Sequence, residues 1–133
     1  MPIYLPDTNA VSRYFQQRDE HLMAKMSATF AHLRLSTVVL AELEYGAAKT
    51  GLARHRNRID HLLTSIVVEP FALADTLCYG RLRADLERRG QMIGAIDALI
   101  AAQALRLGAT VVTHNLREFT RVPGLKVEDW QVA

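Results

Sequence analysis

Asp97 is the residue of this sequence whose surroundings most clearly indicate chemistry. It is the only charged residue between Gly90 and Leu105, in a stretch with the composition of a buried helix. An isolated carboxylate in so apolar a helix costs several kcal/mol, roughly, unless it is paired, metal-bound or protonated. The alternative is an ordinary acid in the first turn of a helix, where the helix dipole favours it. The apolar neighbourhood favours the first interpretation and predicts partners elsewhere in the chain.

Asp7 is the second acidic candidate, because it directly follows residues 3–6, an apolar run that predicts the first strand. Asp7, Thr8 and Asn9 are also residue types that favour helix N-caps, and a helix is predicted from about Ala10. From position alone, a helix cap and a site residue are equally good interpretations of Asp7.

Glu42 is the third candidate, on a helix predicted over residues 38–48 and capped by Ser36 or Thr37. Apolar residues one turn before and one turn after Glu42 place it on an apolar stripe of that helix. Glu44 also stands among apolar residues, so helical periodicity alone does not distinguish which carboxylate points inward.

The remaining elements alternate between helices and short strands. Helices are predicted over residues 20–33, 52–64, 72–89 and 95–107, and strands over residues 33–36, 65–68, 110–113 and 125–127. This alternation is typical of an α/β fold with a mainly parallel sheet. A polar loop or short helix is predicted over residues 114–121, and Trp130 is expected to anchor the C-terminal end in the core.

Sites in open parallel sheets form beyond the carboxyl ends of the strands. Asp7 follows strand 1, and Asp97 opens the helix that leads into strand 4, so both are expected at one edge of the sheet. Glu42 lies about one and a half turns into the helix after strand 2. Clustered carboxylates repel one another unless a cation holds them, and Mg²⁺ prefers such oxygens. One metal, or two that are roughly 4 Å apart, can activate water for an in-line displacement at phosphorus.

The composition predicts one globular domain over residues 1–133, because half of the residues are hydrophobic and 23% are charged. The net charge of +2 permits a nucleic-acid partner without requiring one. Three arginines, Arg54, Arg56 and Arg58, give one helix a basic side. That side is either a solvated face or a phosphate-contacting patch.

The cysteine and targeting signals indicate a cytoplasmic location. The sequence has one cysteine, Cys78, so an internal disulfide is excluded, and no cysteine or histidine spacing is typical of a zinc site. The start of the chain lacks a basic segment followed by an apolar run, and no apolar stretch is long enough to span a membrane.

Four segments, in this order, resemble the PIN-domain ribonucleases, and within them the VapC toxins of bacterial toxin–antitoxin pairs. They are Leu5–Asn9, Ser36–Ala47, Gly90–Asp97 and Val112–Phe119, and the ending Gly124–Trp130 is similar to one VapC subgroup. The resemblance covers essentially the whole chain. It implies a PIN-like three-layer α/β/α sandwich with a short, mainly parallel central sheet.

The resemblance also implies roles for individual residues. The metal-holding acidic residues are Asp7, Glu42 and Asp97, with Glu118 as the best match to a fourth acidic position and Thr8 and Asn115 as orienting neighbours. The match selects Glu42 over Glu44. The implied activity is Mg²⁺- or Mn²⁺-dependent cleavage of RNA, with a tRNA anticodon loop as the target. The implied partners are a second copy of the chain and a VapB antitoxin, with operator DNA bound through the antitoxin.

The sequence departs from the family pattern at two places. Pro6 precedes Asp7 where the family usually has an aliphatic residue, and a proline in a central strand lacks a donor for the ladder. Gln91 and Met92 stand where the subgroup often has Arg-Pro, which bears on substrate preference more than on catalysis.

Three other classes of protein share some of these sequence features. A phosphatase of the haloacid-dehalogenase type needs a second aspartate two residues after the first, and this chain has Asn9 there. A receiver-like module needs a lysine after its last core strand, where this chain has residues 114–117 without one. A catalytically silent PIN-like interaction module would not need all four acidic residues, so their joint presence favours an enzyme.

Overall fold

The computed structural model describes residues 2–131, which contain five short strands and seven α-helices. The strands are β1 (Tyr4–Pro6), β2 (Arg34–Ser36), β3 (Val67–Glu69), β4 (Thr110–Val112) and β5 (Lys126–Glu128). The helices are α1 (Thr8–Gln16), α2 (Glu20–Ala28), α3 (Thr37–Thr50), α4 (Ala53–Leu63), α5 (Leu73–Arg88), α6 (Ala95–Leu107) and α7 (Leu116–Phe119). In this described range, no helix has both the length and the apolar character that a membrane crossing requires.

The strands lie in the order β3–β2–β1–β4–β5, and every pairing within residues 2–131 is parallel. Leu5 of β1 lies opposite Val111 of β4, which lies opposite Val127 of β5. Strands β2 and β3 pair with each other and join β1 through a bridge between Tyr4 and Leu33. The predicted parallel central sheet is confirmed.

Pro6 explains why β1 pairs so little with β2. The N–H of Asp7 donates to the carbonyl of Val112 in β4, at 2.9 Å. Successive N–H groups of a strand point to opposite sides, so the nitrogen of Pro6 faces β2, where proline has no hydrogen to donate. The ladder between β1 and β4 is therefore intact, and a proline is tolerated at the end of a central strand.

The strand order places helices on both faces of the sheet. The chain moves from β1 through β2 to β3, then crosses back to β4 and β5. Connections between parallel strands are almost always right-handed, so reversing direction moves the connecting helices to the opposite face. Helices α1–α4 cover one face and α5–α7 the other, which is the expected three-layer sandwich.

One predicted boundary is wrong by more than two residues. The helix predicted over residues 20–33 ends at Ala28, and a 3₁₀ turn follows at residues 30–32. The reason is tertiary: Leu33 is fully buried and its extended backbone forms the bridge to Tyr4. A helical conformation at Leu33 would remove that contact.

Trp130 anchors the C-terminal end in the core, as predicted. The residue is 2% exposed, and its ring meets Tyr4 edge-on with 5.1 Å between the ring centroids. Its indole N–H donates to the carboxylate of Glu128 at 2.8 Å, so the polar atom is satisfied. The ring contact fixes the segment after β5 against β1, the strand that directly precedes Asp7.

An ion pair joins α5 to α6, the helix that carries Asp97. The side chain of Asp75 in α5 is fully buried, and Arg106 near the end of α6 donates to both of its carboxylate oxygens. Asp75 also accepts from the backbone N–H of Ala72 at 2.6 Å, which secures the start of α5. The pair therefore holds α6 in place along the sheet.

Replacement of Asp75 by alanine should lower the free energy of unfolding by about 3 kcal/mol, because it leaves a guanidinium and a helix-end N–H without their shared acceptor. Asp60→Ala is the matched control, since Asp60 pairs with Arg56 at 2.8 Å on the surface, where such pairs contribute little. Chemical denaturation measures both variants. Equal losses in the two would contradict the prediction.

Candidate active site

Asp7 is buried at the junction of β1 and α1, with only 4% of its surface exposed. One carboxylate oxygen, Oδ1, accepts from the N–H of Ala10 at 2.8 Å and so caps α1. The other, Oδ2, accepts from the hydroxyl of Thr113 at 2.6 Å, beyond the end of β4. Asp7 is therefore the helix cap, and its second oxygen also ties it to the end of the neighbouring strand.

The surroundings of Asp7 oppose its ionisation. Burial raises the pKa of Asp7 above its ordinary value, and the negative charges of Glu42 and Asp129 raise it further. The hydrogen bonds from Thr113 and Ala10 lower the pKa, because they stabilise the ionised form. A cation beside Asp7 would stabilise its ionised form and so offset the effects of burial and of the neighbouring negative charges.

The structure distinguishes Glu42 from Glu44. The hydroxyl of Thr8, at the start of α1, donates to Oε1 of Glu42, so Glu42 points towards Asp7. Glu44 points away and pairs with Arg56 of α4, with 2.9 Å between Nη2 and Oε2. That hydrogen bond lowers the pKa of Glu44. Glu44 is therefore a surface partner of α4, and Glu42 is the glutamate at the site.

Asp97 lies in the first turn of α6, half-buried, and contacts the loop after β4. The side-chain amide of Asn115 donates to Oδ2 of Asp97 at 3.3 Å and to Oε2 of Glu118 at 2.6 Å. Asn115 thus links the two carboxylates. The N–H of Asn115 donates in turn to the hydroxyl of Thr113 at 2.9 Å, and this connects the pair to Asp7.

The pKa values of Asp97 and Glu118 are shifted in opposite directions. Burial, the hydrogen bond with Glu118 and the charges of Asp7 and Glu118 raise the pKa of Asp97 to about 7. The pKa of Glu118 is lowered, mainly by the hydrogen bond that Asn115 donates. As the pH rises, Glu118 therefore ionises before Asp97.

Three of the four predicted acidic residues line one cleft of about 300 Å³ at the carboxyl edge of the sheet. Its walls include Asp7, Thr8, Glu42 and Asp97, and Asn9 and residues 94–96 complete it. Glu118 and Asn115 do not line this cleft and reach it through the hydrogen bond to Asp97. The expectation that Asp7 and Asp97 meet at one edge, with Glu42 near them, agrees with this geometry.

The donors in the cleft have the chemistry that a hard divalent cation prefers. Across residues 2–131, no three acidic, histidine or cysteine side chains are close enough together to ligate one ion. Glu42 is directed to Thr8, and Glu118 to Asn115. Mg²⁺ in proteins typically takes one or two carboxylates and completes its shell with water and substrate phosphates. Asp7 and Asp97 fit that requirement.

Sequence reasoning missed Thr113, which is fully buried and bonded to Asp7 and to the backbone of Asn115. Its signal was available, because Thr113 is a polar residue directly after a buried strand, as Asp7 is. Asp129 was missed as well. It lies close enough to raise the pKa of Asp7 and pairs with His114 at 2.9 Å, a contact between segments that no sequence spacing shows.

Comparison with known proteins agrees with this site. The PIN domain family matches residues 4–125. The tRNA(fMet)-specific endonuclease VapC of Salmonella typhimurium is 34% identical, over 96% of this chain and 97% of that protein. Ribonuclease VapC2 of Rickettsia felis is 36% identical, over 96% of this chain and 98% of that protein. The crystal structure of VapBC2 from Rickettsia felis, bound to a promoter DNA fragment, matches with a TM-score of 0.90 and 32% identity, over 97% of this chain and 99% of that one.

The chain therefore belongs to the PIN-domain family. Within that family it falls among the VapC ribonucleases, the toxins of toxin–antitoxin pairs, as the four sequence segments imply.

The pKa of Asp97 is open to direct test. Carboxyl NMR of the metal-free protein should show Asp97 titrating near pH 7, because burial and Glu118 oppose its ionisation. Since this folded-state pKa is raised, the stability that Asp97 contributes is present below about pH 4 and is lost as the pH rises through 7. Glu118→Gln removes a negative neighbour and should lower the Asp97 pKa. An Asp97 titration near 4 in the wild type would contradict this.

Proposed function

We propose that this chain is a metal-dependent endoribonuclease that hydrolyses RNA phosphodiester bonds as the toxin of a type II toxin–antitoxin pair. The observation that carries the proposal is the cleft lined by Asp7, Glu42 and Asp97, which come from three separate segments of the chain. Burial raises the pKa of both Asp7 and Asp97, the charge of Glu42 adds to the shift at Asp7, and the charge of Asp7 adds to the shift at Asp97, so these carboxylates are poised to bind a cation and the phosphate that accompanies it. The activity is proposed for residues 1–133 acting as a single PIN domain in the cytoplasm.

Each residue has a distinct proposed role. Asp7 and Asp97 hold the metal, with Glu42 and Glu118 completing the site directly or through water. Thr8 orients the Glu42 carboxylate through its hydrogen bond. Asn115 holds Asp97 and Glu118 together. Because a metal ligand must be ionised, cation binding and the release of the Asp97 proton to solvent would favour each other.

The cation proposed for this cleft is Mg²⁺, with Mn²⁺ as a substitute, because both are hard ions that take oxygen ligands. When bound, such an ion supplies positive charge for the phosphorane-like transition state and activates water for attack at phosphorus. The chain's own contribution is to hold two carboxylates at a fixed separation on β1 and α6. Thr113 donates to Asp7 and Asn115 donates to Asp97, and these hydrogen bonds hold the two carboxylates in position.

The substrate and partners are proposed from relatives. The Salmonella relative is named as specific for tRNA(fMet), so we propose a tRNA substrate, cut in its anticodon loop. The VapBC2 structure contains the antitoxin and promoter DNA. We therefore propose a cognate VapB-type antitoxin, operator DNA bound through that antitoxin, and a homodimeric toxin.

Asp97→Asn should abolish cleavage of total tRNA while the protein stays folded. The substitution removes the charge that would ligate the metal and keeps the size and hydrogen bonding of the side chain. Purified wild type should give discrete tRNA fragments with Mg²⁺ or Mn²⁺ and none with EDTA. Circular dichroism and thermal unfolding check that the variant is folded.

Intact tRNA in every lane, with Mg²⁺ binding shown separately by calorimetry, would reject tRNA as the substrate. Intact RNA of every class tested would favour the silent interaction module. Cleavage by Asp97→Asn at the wild-type rate would show that the nuclease activity arises outside this cleft.

Thr113→Val should reduce kcat by about 10- to 100-fold, the range seen when a residue that orients a metal ligand is lost. Valine has nearly the shape of threonine but cannot donate to Asp7 or accept from Asn115. Thr113→Ser keeps the hydroxyl and should restore most of the activity. Metal titration of both variants should show weaker Mg²⁺ binding only for valine. Equal activity of Thr113→Val and Thr113→Ser would show that the Thr113 hydroxyl does not contribute to the site.

A further inference from the structure

A second cavity lies beside the acidic cleft and shares only Thr8 and Glu42 with it. It has a volume of about 240 Å³ and lies between α1, α3 and α4. Thr8 and Glu42 line both this cavity and the acidic cleft. The hydrogen bond from Thr8 to Glu42 therefore forms the partition between them. We refer to this second space as the α4 cavity.

The polar lining of the α4 cavity is rich in hydrogen-bond donors. It includes Ser12 and Gln16 of α1, Thr50 of α3, and His55 and Arg58 of α4. Hydroxyl, amide, imidazole and guanidinium groups can all donate to phosphate oxygens. A guanidinium is the side chain best shaped for phosphate, because it donates two parallel hydrogen bonds. The lining thus contrasts with the carboxylates on the other side of Glu42.

Arg58 differs from the other two arginines of α4. Arg54 is exposed, and Arg56 is occupied by Glu44 and Asp60. Arg58 is half-buried in the cavity wall and forms no ion pair with any residue in the described range 2–131. A half-buried guanidinium without a carboxylate partner is one whose charge is available to an anionic ligand.

Gly46 leaves the α4 cavity open. It lies in the middle of α3, where glycine lowers helix stability by about 0.5–1 kcal/mol relative to alanine. Its backbone is helical, and a Cβ built there would meet no atom within 4 Å. Neither the backbone conformation nor a close neighbour requires glycine at this position. A side chain at residue 46 would instead extend into the cavity that Gly46 lines.

We propose that the α4 cavity binds a backbone phosphate of the RNA next to the phosphate that is cut, with Arg58 and His55 as the positioning residues. This inference rests on the proposed nuclease function and adds a substrate subsite to it. The acidic cleft attracts the RNA only through its cation. The Arg58 guanidinium, which is fixed in the adjacent α4 cavity, would bind the neighbouring phosphate of the RNA. This contact would align the scissile bond over Asp7 and Asp97.

The test compares Arg58→Gln with Arg54→Gln, which makes the same charge change on the exposed side of the same helix. KM for tRNA cleavage should rise about tenfold in Arg58→Gln, with kcat little changed, because a charge-assisted contact to bound substrate is lost. The slope of log K against log salt should become less negative by about 0.7 for one lost phosphate contact to single-stranded RNA. Arg54→Gln should behave as wild type in both measurements.

A second pair of variants tests the space rather than the charge. Gly46→Leu should fill the α4 cavity and raise KM, while its thermal stability is at least that of the wild type, because leucine favours the helix. Ala48→Leu, on an exposed position of the same helix, is its control and should leave KM unchanged. The charge variant and the volume variant should therefore weaken substrate binding by independent means.

Binding measured without cleavage separates the two proposals. Fluorescence anisotropy of labelled tRNA with the Asp97→Asn protein reports the subsite even if no cutting occurs. Arg58-dependent binding without cleavage by the wild type would keep the subsite and reject the nuclease. Cleavage with equal KM and equal salt slope in Arg58→Gln and Arg54→Gln would reject the subsite and keep the nuclease. Absence of any tRNA binding would overturn the subsite together with tRNA as the substrate.

Discussion

The double attachment of the Asp7 carboxylate is the interaction on which the arrangement of this site depends. One oxygen caps α1 and the other accepts from Thr113, while the backbone N–H of the same residue completes the ladder to β4. A strand end, a helix start and a neighbouring strand therefore meet at one buried residue. A shift of β1 against β4 would break the contacts to Thr113 and Val112 together, and a shift of α1 against β1 would break the cap, which is why the position of this carboxylate is so closely determined.

The same rigidity brings negative charges together. Asp97 is held on the buried helix α6, and Asn115 links it to Glu118, so it cannot move away from Asp7 without disturbing the core. Burial, together with these neighbouring charges, raises the pKa of both Asp7 and Asp97. Helix α4 supplies charge of the opposite sign on the far side of Glu42. The lining on one side of Glu42 is therefore acidic, and the lining on the other side carries Arg58. This arrangement suits a polyanion that has a bound cation at one phosphate and a basic side chain at the next.

Of the two interpretations of Asp7 that its position left open, the helix cap is confirmed by the bond from Ala10, and the role at the site stays a proposal, supported by the place of Asp7 in the lining of the acidic cleft. Pro6 stands in a central strand against the usual rule, but its nitrogen faces β2, which pairs with β1 through a bridge at Tyr4 and not at Pro6. The predicted helix over residues 20–33 was wrong for a related reason. Its periodicity continued past Ala28, but the pairing of Leu33 with Tyr4 outweighed the local preference.

The sequence by itself determined the alternation of helices and strands, the polar residues at the strand ends, and the isolation of Asp97 in an apolar helix. These follow from local periodicity and from the cost of burying a charge. Helical periodicity did not distinguish Glu42 from Glu44; the family resemblance selected Glu42, and the tertiary structure agrees because Thr8 binds Glu42 while Arg56 binds Glu44. Only the tertiary structure decided that Thr113 bonds to Asp7 and that Arg58 differs from its neighbours. Periodicity says which side of a helix a residue occupies, but the partner on that side comes from a segment far away in the chain. Those partners are set by packing, which no single stretch of sequence contains.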